Sequence, residues 1–167
     1  MDEDSPDEAT LCFPLRGDLP LSPDDELLLI EKKRGIGAGL YNGPGGKVEA
    51  GETPLEAVKR EVDEEVHLEL IDVEKRAELL FYFGSDPLFR CHTYVSRAFE
   101  GTATETDEAD PLWVIRRDIP YGEMWEDDQY WLPHLLDGDR VQGTFHFDED
   151  GEELLGYDLR VVDRFTD

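Results

Sequence analysis

The residues from Gly46 to Leu68 constrain this chain more than any other part of it. They read Gly-Lys-Val-Glu-Ala-Gly-Glu-Thr-Pro-Leu-Glu-Ala-Val-Lys-Arg-Glu-Val-Asp-Glu-Glu-Val-His-Leu, a glycine-rich loop run directly into a short helix. Thr53 is a natural N-cap, Pro54 suits the first helical position, and Glu56 completes a Thr-x-x-Glu capping box. A helix is therefore predicted over residues 53–66. At about 100° per residue, Leu55, Val58, Val62 and Val66 share one face, the one to be buried. Glu61, Glu64 and Glu65 fall on a neighbouring face, at i, i+3 and i+4. Like charges on one helical strip repel, a bound cation removes that cost, and hard carboxylate oxygens suit Mg²⁺ or Mn²⁺. A solvated acidic face is the plainer alternative, since 42 of the 167 residues are Asp or Glu. The matching helix caps and glycines favour a built metal site.

The spacing itself, Gly46, five residues, Glu52, seven residues, then Arg60-Glu61-Val62-x-Glu64-Glu65, resembles the Nudix box. In that family the box closes on Gly and an apolar residue; here Leu68 fits and His67 stands in place of the Gly. The likeness extends upstream through Lys32-Lys-Arg-Gly-Ile-Gly-Ala-Gly-Leu-Tyr-Asn-Gly-Pro-Gly-Gly-Lys47 and downstream to Trp125-Glu-Asp-Asp-Gln-Tyr-Trp131. Together these segments resemble the branch of the family typified by eukaryotic MutT homologues, which hydrolyse oxidised purine nucleoside triphosphates. The resemblance runs from about Thr10 to Val162 and implies an α/β fold, an α/β/α sandwich around a mixed sheet. It implies Glu61, Glu64, Glu65, Glu108 and the Gly45 carbonyl as Mg²⁺ ligands, with Mn²⁺ as a substitute. It further implies Asn42, Asp127 and Asp128 on the purine edge, Trp125 on its face, and Thr10, Lys32, Phe81 and Phe83 completing the nucleoside pocket. The implied reaction is metal-assisted attack of water on a bridging phosphate, releasing monophosphate and pyrophosphate.

Each role has a physical reason. A divalent cation lowers the pKa of bound water and a nearby carboxylate takes its proton. Arg60 is expected to pair with a box glutamate and hold it, rather than touch substrate. Asp127 and Asp128, if buried together, cannot both ionise easily, and a donor–acceptor carboxyl pair can read more than one purine edge. The same pair could instead cap the following helix, and the two roles are compatible. Three departures bear on substrate preference: Tyr41 and Pro44 stand where relatives often carry Trp and Phe, and Ile36 replaces an aromatic. A second enzymatic reading keeps the chemistry but changes the substrate to a normal nucleotide, ADP-ribose or a dinucleoside polyphosphate. A binding-only module is a third, weakened by retention of all three box carboxylates.

The formal net charge is −26, an awkward balance for a protein meeting polyanionic substrates. The acids are dispersed along the chain, and Lys is scarce, five against eleven Arg. Three of those lysines, Lys32, Lys33 and Lys47, flank the glycine loop. Dispersed surface acid fits adaptation to a salt-rich cytosol better than mimicry of nucleic acid. At about 1 M salt the Debye length is about 3 Å, so surface repulsion is screened. Circular dichroism is expected to report partial unfolding as salt is withdrawn; a spectrum unchanged down to dilute buffer would refute that.

The length suggests one domain, residues 9–167, behind an acidic disordered tail at 1–8. Cys12 and Cys91 have no metal or redox spacing, and Cys12 reads as a small buried apolar residue. His92, His134 and His146 lack zinc-ligand spacing. With no leader or long apolar run, a cytoplasmic monomer is expected, with no membrane or nucleic-acid partner. Strands are predicted at 10–15 and 26–31, joined by an unstructured surface loop at 17–23. A hairpin is predicted from 77–83 and 88–99, a short strand at 113–115, and a final pair flanking Asp150-Gly151. A second helix reaching Leu136 should turn Trp131, Leu132 and Leu135 inward and be kinked or delayed by Pro133.

Overall fold

In a computed structural model, residues 5–35 and 37–165 are described. The chain runs β1 (Asp7–Arg16), β2 (Glu26–Lys32), β3 (Tyr41–Asn42), α1 (Pro54–Val66), β4 (Glu69–Phe83), β5 (Asp86–Glu100), β6 (Ala109–Ile115), α2 (Asp128–Leu136), β7 (Arg140–Phe147) and β8 (Leu154–Val162). The strands form one mixed sheet in the order β3-β2-β1-β5-β4-β7-β8, with β6 added along β2. The β1–β5 and β4–β7 pairs are parallel, and the others are antiparallel. This is the expected α/β/α arrangement.

One helix covers each face. Alternation along β2 sends Leu27 and Leu29 to the α2 side and Leu28 and Ile30 to the α1 side, all buried. On the α1 side, Val58, Val62 and Val66 are fully buried against Cys12, Leu28 and Tyr94. Each such valine contributes roughly 1.5–3 kcal/mol. Trp131, Leu132 and Leu135 fill the α2 side with Phe13, Leu79 and Phe145. Leu55 departs from expectation: it is 42% exposed. It sits in the first turn of the helix, and the buried face is made by Ala57, Val58, Val62, Glu65 and Val66.

Two other expectations are corrected. The loop at 17–23 is ordered by packing: Leu21 is buried, its N–H donates to the Leu136 carbonyl at 2.7 Å, and Arg116 Nη1 donates to the Leu21 carbonyl at 2.6 Å. Strand β1 begins at Asp7, so the last two residues of the expected tail pair with Phe89 and Arg90 of β5. Residues 1–4 of that tail, and Ile36, lie outside the described residues. The hairpin predicted around Gly84 is present but longer, with β4 and β5 of 15 residues each. Pro133 lies inside α2, which starts only at Asp128. Arg116 ties the carbonyls at the end of that helix, Pro133 and Leu136, together with the Asp137 carboxylate.

The start of α1 is as the sequence dictates. Thr53 Oγ1 accepts the Glu56 N–H at 3.1 Å and Glu56 Oε1 accepts the Thr53 N–H at 2.9 Å. His67 closes the helix in the left-handed region, φ 61° and ψ 36°. A non-glycine residue there is strained by about 1 kcal/mol. His67→Gly is therefore expected to raise the melting temperature in proportion without changing turnover; a lower melting temperature would mean that the imidazole contributes something the backbone angles do not reveal.

Candidate active site

Strand β1 holds the glycine loop against α1. The Thr10 N–H and Oγ1 both donate to the Gly46 carbonyl, at 2.8 and 2.9 Å, and the Cys12 N–H donates to the Pro44 carbonyl at 2.8 Å. The glycines permit the close approach: a Cβ on Gly45 would overlap the Thr10 carbonyl oxygen, and one on Gly46 would overlap the Glu61 carboxylate. Gly45 in turn donates its N–H to Glu65 Oε1 at 2.7 Å, linking loop to helix.

Arg60 organises the carboxylates. Its Nε and Nη2 grip Glu52 at 2.7 and 2.9 Å, and its Nη1 reaches Glu61 at 2.7 Å and Glu64 at 3.2 Å. The expected pairing with a box glutamate is thus present. The sequence reading missed Glu52 as the anchor, although its place eight residues before Arg60, just ahead of the helix, was the available signal. The Arg60 hydrogen bonds hold Glu52 down at about 2. Glu61 is pushed up by burial, against the pull of Arg60. Glu65, 4% exposed, is pushed up to about 8 by burial, with the charges of Glu61 and Glu108 adding to it. Glu108 therefore lies within electrostatic reach of both; its carboxylate also meets Arg34 at 3.4 Å, and its N–H donates to Thr106 Oγ1 at 3.2 Å.

Among the described residues no three His, Cys, Asp or Glu side chains already converge on a single point. Glu61 and Glu64 rest on Arg60, and Glu65 on the Gly45 amide. The donor set nonetheless suits a hard divalent cation: all oxygen, mutually repelling, partly desolvated, and beside a glycine loop that leaves no room for side chains.

A cavity of about 400 Å³ opens beside this cluster and runs under α2. Its walls include Thr10, Lys32, Asn42, Gly45, Glu65, Phe81, Phe83, Trp125, Asp127 and Asp128, so most of the residues singled out in the sequence share one space. Phe81 and Phe83 do lie on one face of β4. Phe81 stacks on Phe145 with centroids 5.7 Å apart, and Trp125 stands edge-on to Phe147 at 6.0 Å and near Phe83 at 6.3 Å. Phe89, Cys91 and Phe147 also line the cavity and were missed; the strand alternation that selects them becomes readable only once the register is known.

Asp127 and Asp128 are 2% and 3% exposed. Asp127 sits at the helix N-cap but makes no capping bond, correcting that part of the expectation. Its Oδ2 instead accepts the Trp131 indole N–H at 2.7 Å. Asp128 Oδ2 is buried without a hydrogen-bond partner among the described residues. Burial pushes both carboxyls up, and in Asp128 the charge of Asp127 adds to it. A buried orphan oxygen beside a carboxyl held toward its neutral form offers an acceptor and a donor to whatever enters. Asn42 Oδ1 accepts the neighbouring Gly43 N–H at 2.8 Å.

A profile of the NUDIX domain matches residues 16–158. Over 148 residues the chain is 42% identical to the oxidized purine nucleoside triphosphate hydrolase of Mus musculus, covering 88% of this chain and 94% of that one. A protein of the same name from Danio rerio is 41% identical over 122 residues, with coverage of 72% and 78%. Among solved structures, a MutT mutator protein from Bacillus halodurans matches with a TM-score of 0.77 and 30% identity, over 92% of this chain and 97% of that one. With the box carboxylates, their arginine clamp and the glycine loop all in place, the chain belongs to the Nudix family and is a Nudix hydrolase.

Proposed function

We propose that the protein hydrolyses oxidised purine nucleoside triphosphates, of the 8-oxo-dGTP and 2-hydroxy-dATP type, to the monophosphate and pyrophosphate. The observation that carries this reading is the buried Asp127–Asp128 pair in the same cavity as Glu65 and Gly45, an arrangement that offers base readout and phosphate chemistry to one ligand. The mouse and zebrafish relatives, named for that activity, support it.

Glu61, Glu64 and Glu65, with Glu108 and the Gly45 carbonyl, would hold Mg²⁺ or Mn²⁺. Bound there, the ion would neutralise phosphate oxygens and acidify a water. Arg60 keeps Glu61 and Glu64 aligned, and Lys32 and Lys47 supply the cavity's positive charge. The aromatic walls from Phe81, Phe83 and Trp125 sandwich the base and exclude water, which strengthens the polar contacts at Asp127, Asp128 and Asn42. No helix among the described residues is long and apolar enough to cross a membrane.

The test is a phosphorus NMR and turnover assay in concentrated KCl with 8-oxo-dGTP, 2-hydroxy-dATP, dGTP and ADP-ribose, with and without Mg²⁺. Oxidised purines yielding monophosphate and pyrophosphate only with metal is the expected outcome. Faster cleavage of ADP-ribose would keep the Nudix chemistry and discard the substrate.

A further inference from the structure

Among the described residues the sheet ends at β8, which is paired on one side only, to β7. Free edges invite pairing, and proteins usually blunt them with Pro, Lys, bulges or brevity. Strand β8, Leu-Leu-Gly-Tyr-Asp-Leu-Arg-Val-Val, has nine residues with neither Pro nor Lys, and its only register shift falls at its beginning, opposite His146 and Phe147.

Alternation divides the strand into two unlike faces. Tyr157 and Val161, on one face with Leu159, are 47% and 55% exposed; Leu155, 64% exposed, is the extra residue at the register shift, where alternation breaks. Tyr157 is held in place by stacking on Tyr130 and Phe145, with centroids 4.6 and 5.5 Å away. On the other face stand Asp158 and Arg160, the strand's two charged residues. Both are exposed, and neither makes an ion pair or side-chain hydrogen bond among the described residues.

We propose that β8 is a homodimer interface: two copies pair their β8 edges antiparallel about a two-fold axis through Leu159, extending the sheet across both chains. In that register Asp158 of each copy lies opposite Arg160 of the other, and Tyr157 opposite Val161. Both charges gain a partner, and the exposed Tyr157 and Val161 meet each other, while Leu155 falls opposite Asp163 beyond the strand. Shifting the axis by one residue would set Asp158 against Asp158 or Arg160 against Arg160. Centring it on Tyr157 would leave both charges opposite Gly156 and Leu154. Only Leu159 satisfies charge and apolarity together among these registers. A net charge of −26 per chain opposes association, but the strand itself is neutral, and salt screens the remainder. Such a dimer departs from the monomer expected from the sequence.

Sedimentation of the full chain over a concentration series in concentrated KCl tests it. A monomer–dimer equilibrium is expected. Asp158→Arg and Arg160→Asp, each placing like charges opposite one another twice per dimer, should raise the dissociation constant roughly tenfold or more. The double exchange, Asp158→Arg with Arg160→Asp, should restore it. Both residues lie outside the substrate cavity, so unchanged turnover certifies that the variants are folded. A wild type that stays monomeric to its solubility limit overturns the proposal, as does a dimer indifferent to the single exchanges or not recovered by the double one.

Discussion

Glu65→Gln is expected to lower kcat/KM by on the order of 10³-fold while making the metal-free protein more heat-stable. The two effects share a cause. Glu65 is buried, and its neighbours Glu61 and Glu108 oppose its charge. Gln keeps an oxygen to accept the Gly45 N–H, now at 2.7 Å, so the loop remains tethered. What disappears is the negative charge, which the proposed metal needs and the bare fold does not. The pH dependence follows from the sign of the shift. Folding raises Glu65 to about 8 from the ordinary glutamate value near 4.3, so the folded state holds its proton more tightly. The stability this confers is complete at pH below about 4 and is lost as pH rises toward about 8. The melting-temperature advantage of Glu65→Gln should therefore grow across that window in chelator-treated protein. Thermal melts at several pH values, paired with turnover, check it. A variant that is less stable at every pH, or still active, would remove Glu65 from the metal site.

The second large effect is expected at the aspartate pair. Asp127→Asn with Asp128→Asn should lower kcat/KM for oxidised purines by on the order of 10²–10³, while metal-dependent cleavage of a poor substrate such as ADP-ribose changes less than about tenfold. The carboxyl pair can present a donor and an acceptor in either order, depending on which residue carries the proton; amides fix that order. The stability consequence has the same sign as at Glu65. Both aspartates are shifted up by burial, so ionising them costs folding free energy as pH rises above the ordinary range near 4. The amide pair should flatten that slope. Equal losses on all substrates would mean that the pair supports the fold of the cavity rather than reading a base.

The parts of this molecule written in contiguous residues were the legible ones. Helix α1, its capping box and its buried face of Val58, Val62 and Val66 each follow from local spacing, and each is found. Leu55 failed because helical periodicity gives a face but not where along the helix burial begins, and here it begins at Ala57. The loop at 17–23 looked free because its stabilising contacts, to Leu136 and Arg116, lie more than 90 residues away in sequence. Phe89, Cys91 and Phe147 enter the cavity only through the β5–β4–β7 register, which no single strand encodes. Asp127 lines the cavity without its expected capping bond: its position reads as a cap, but the buried Trp131 indole, one helical turn later, takes its oxygen.

The most direct test of substrate choice is the ratio of kcat/KM for 8-oxo-dGTP to that for dGTP, measured with Mg²⁺ in concentrated KCl alongside Glu65→Gln as the control for contaminating activity. A ratio well above one, with activity abolished in the variant, is the expected result. A ratio at or below one, with the variant equally dead, would leave a working Nudix hydrolase whose aspartate pair does not select oxidised purines.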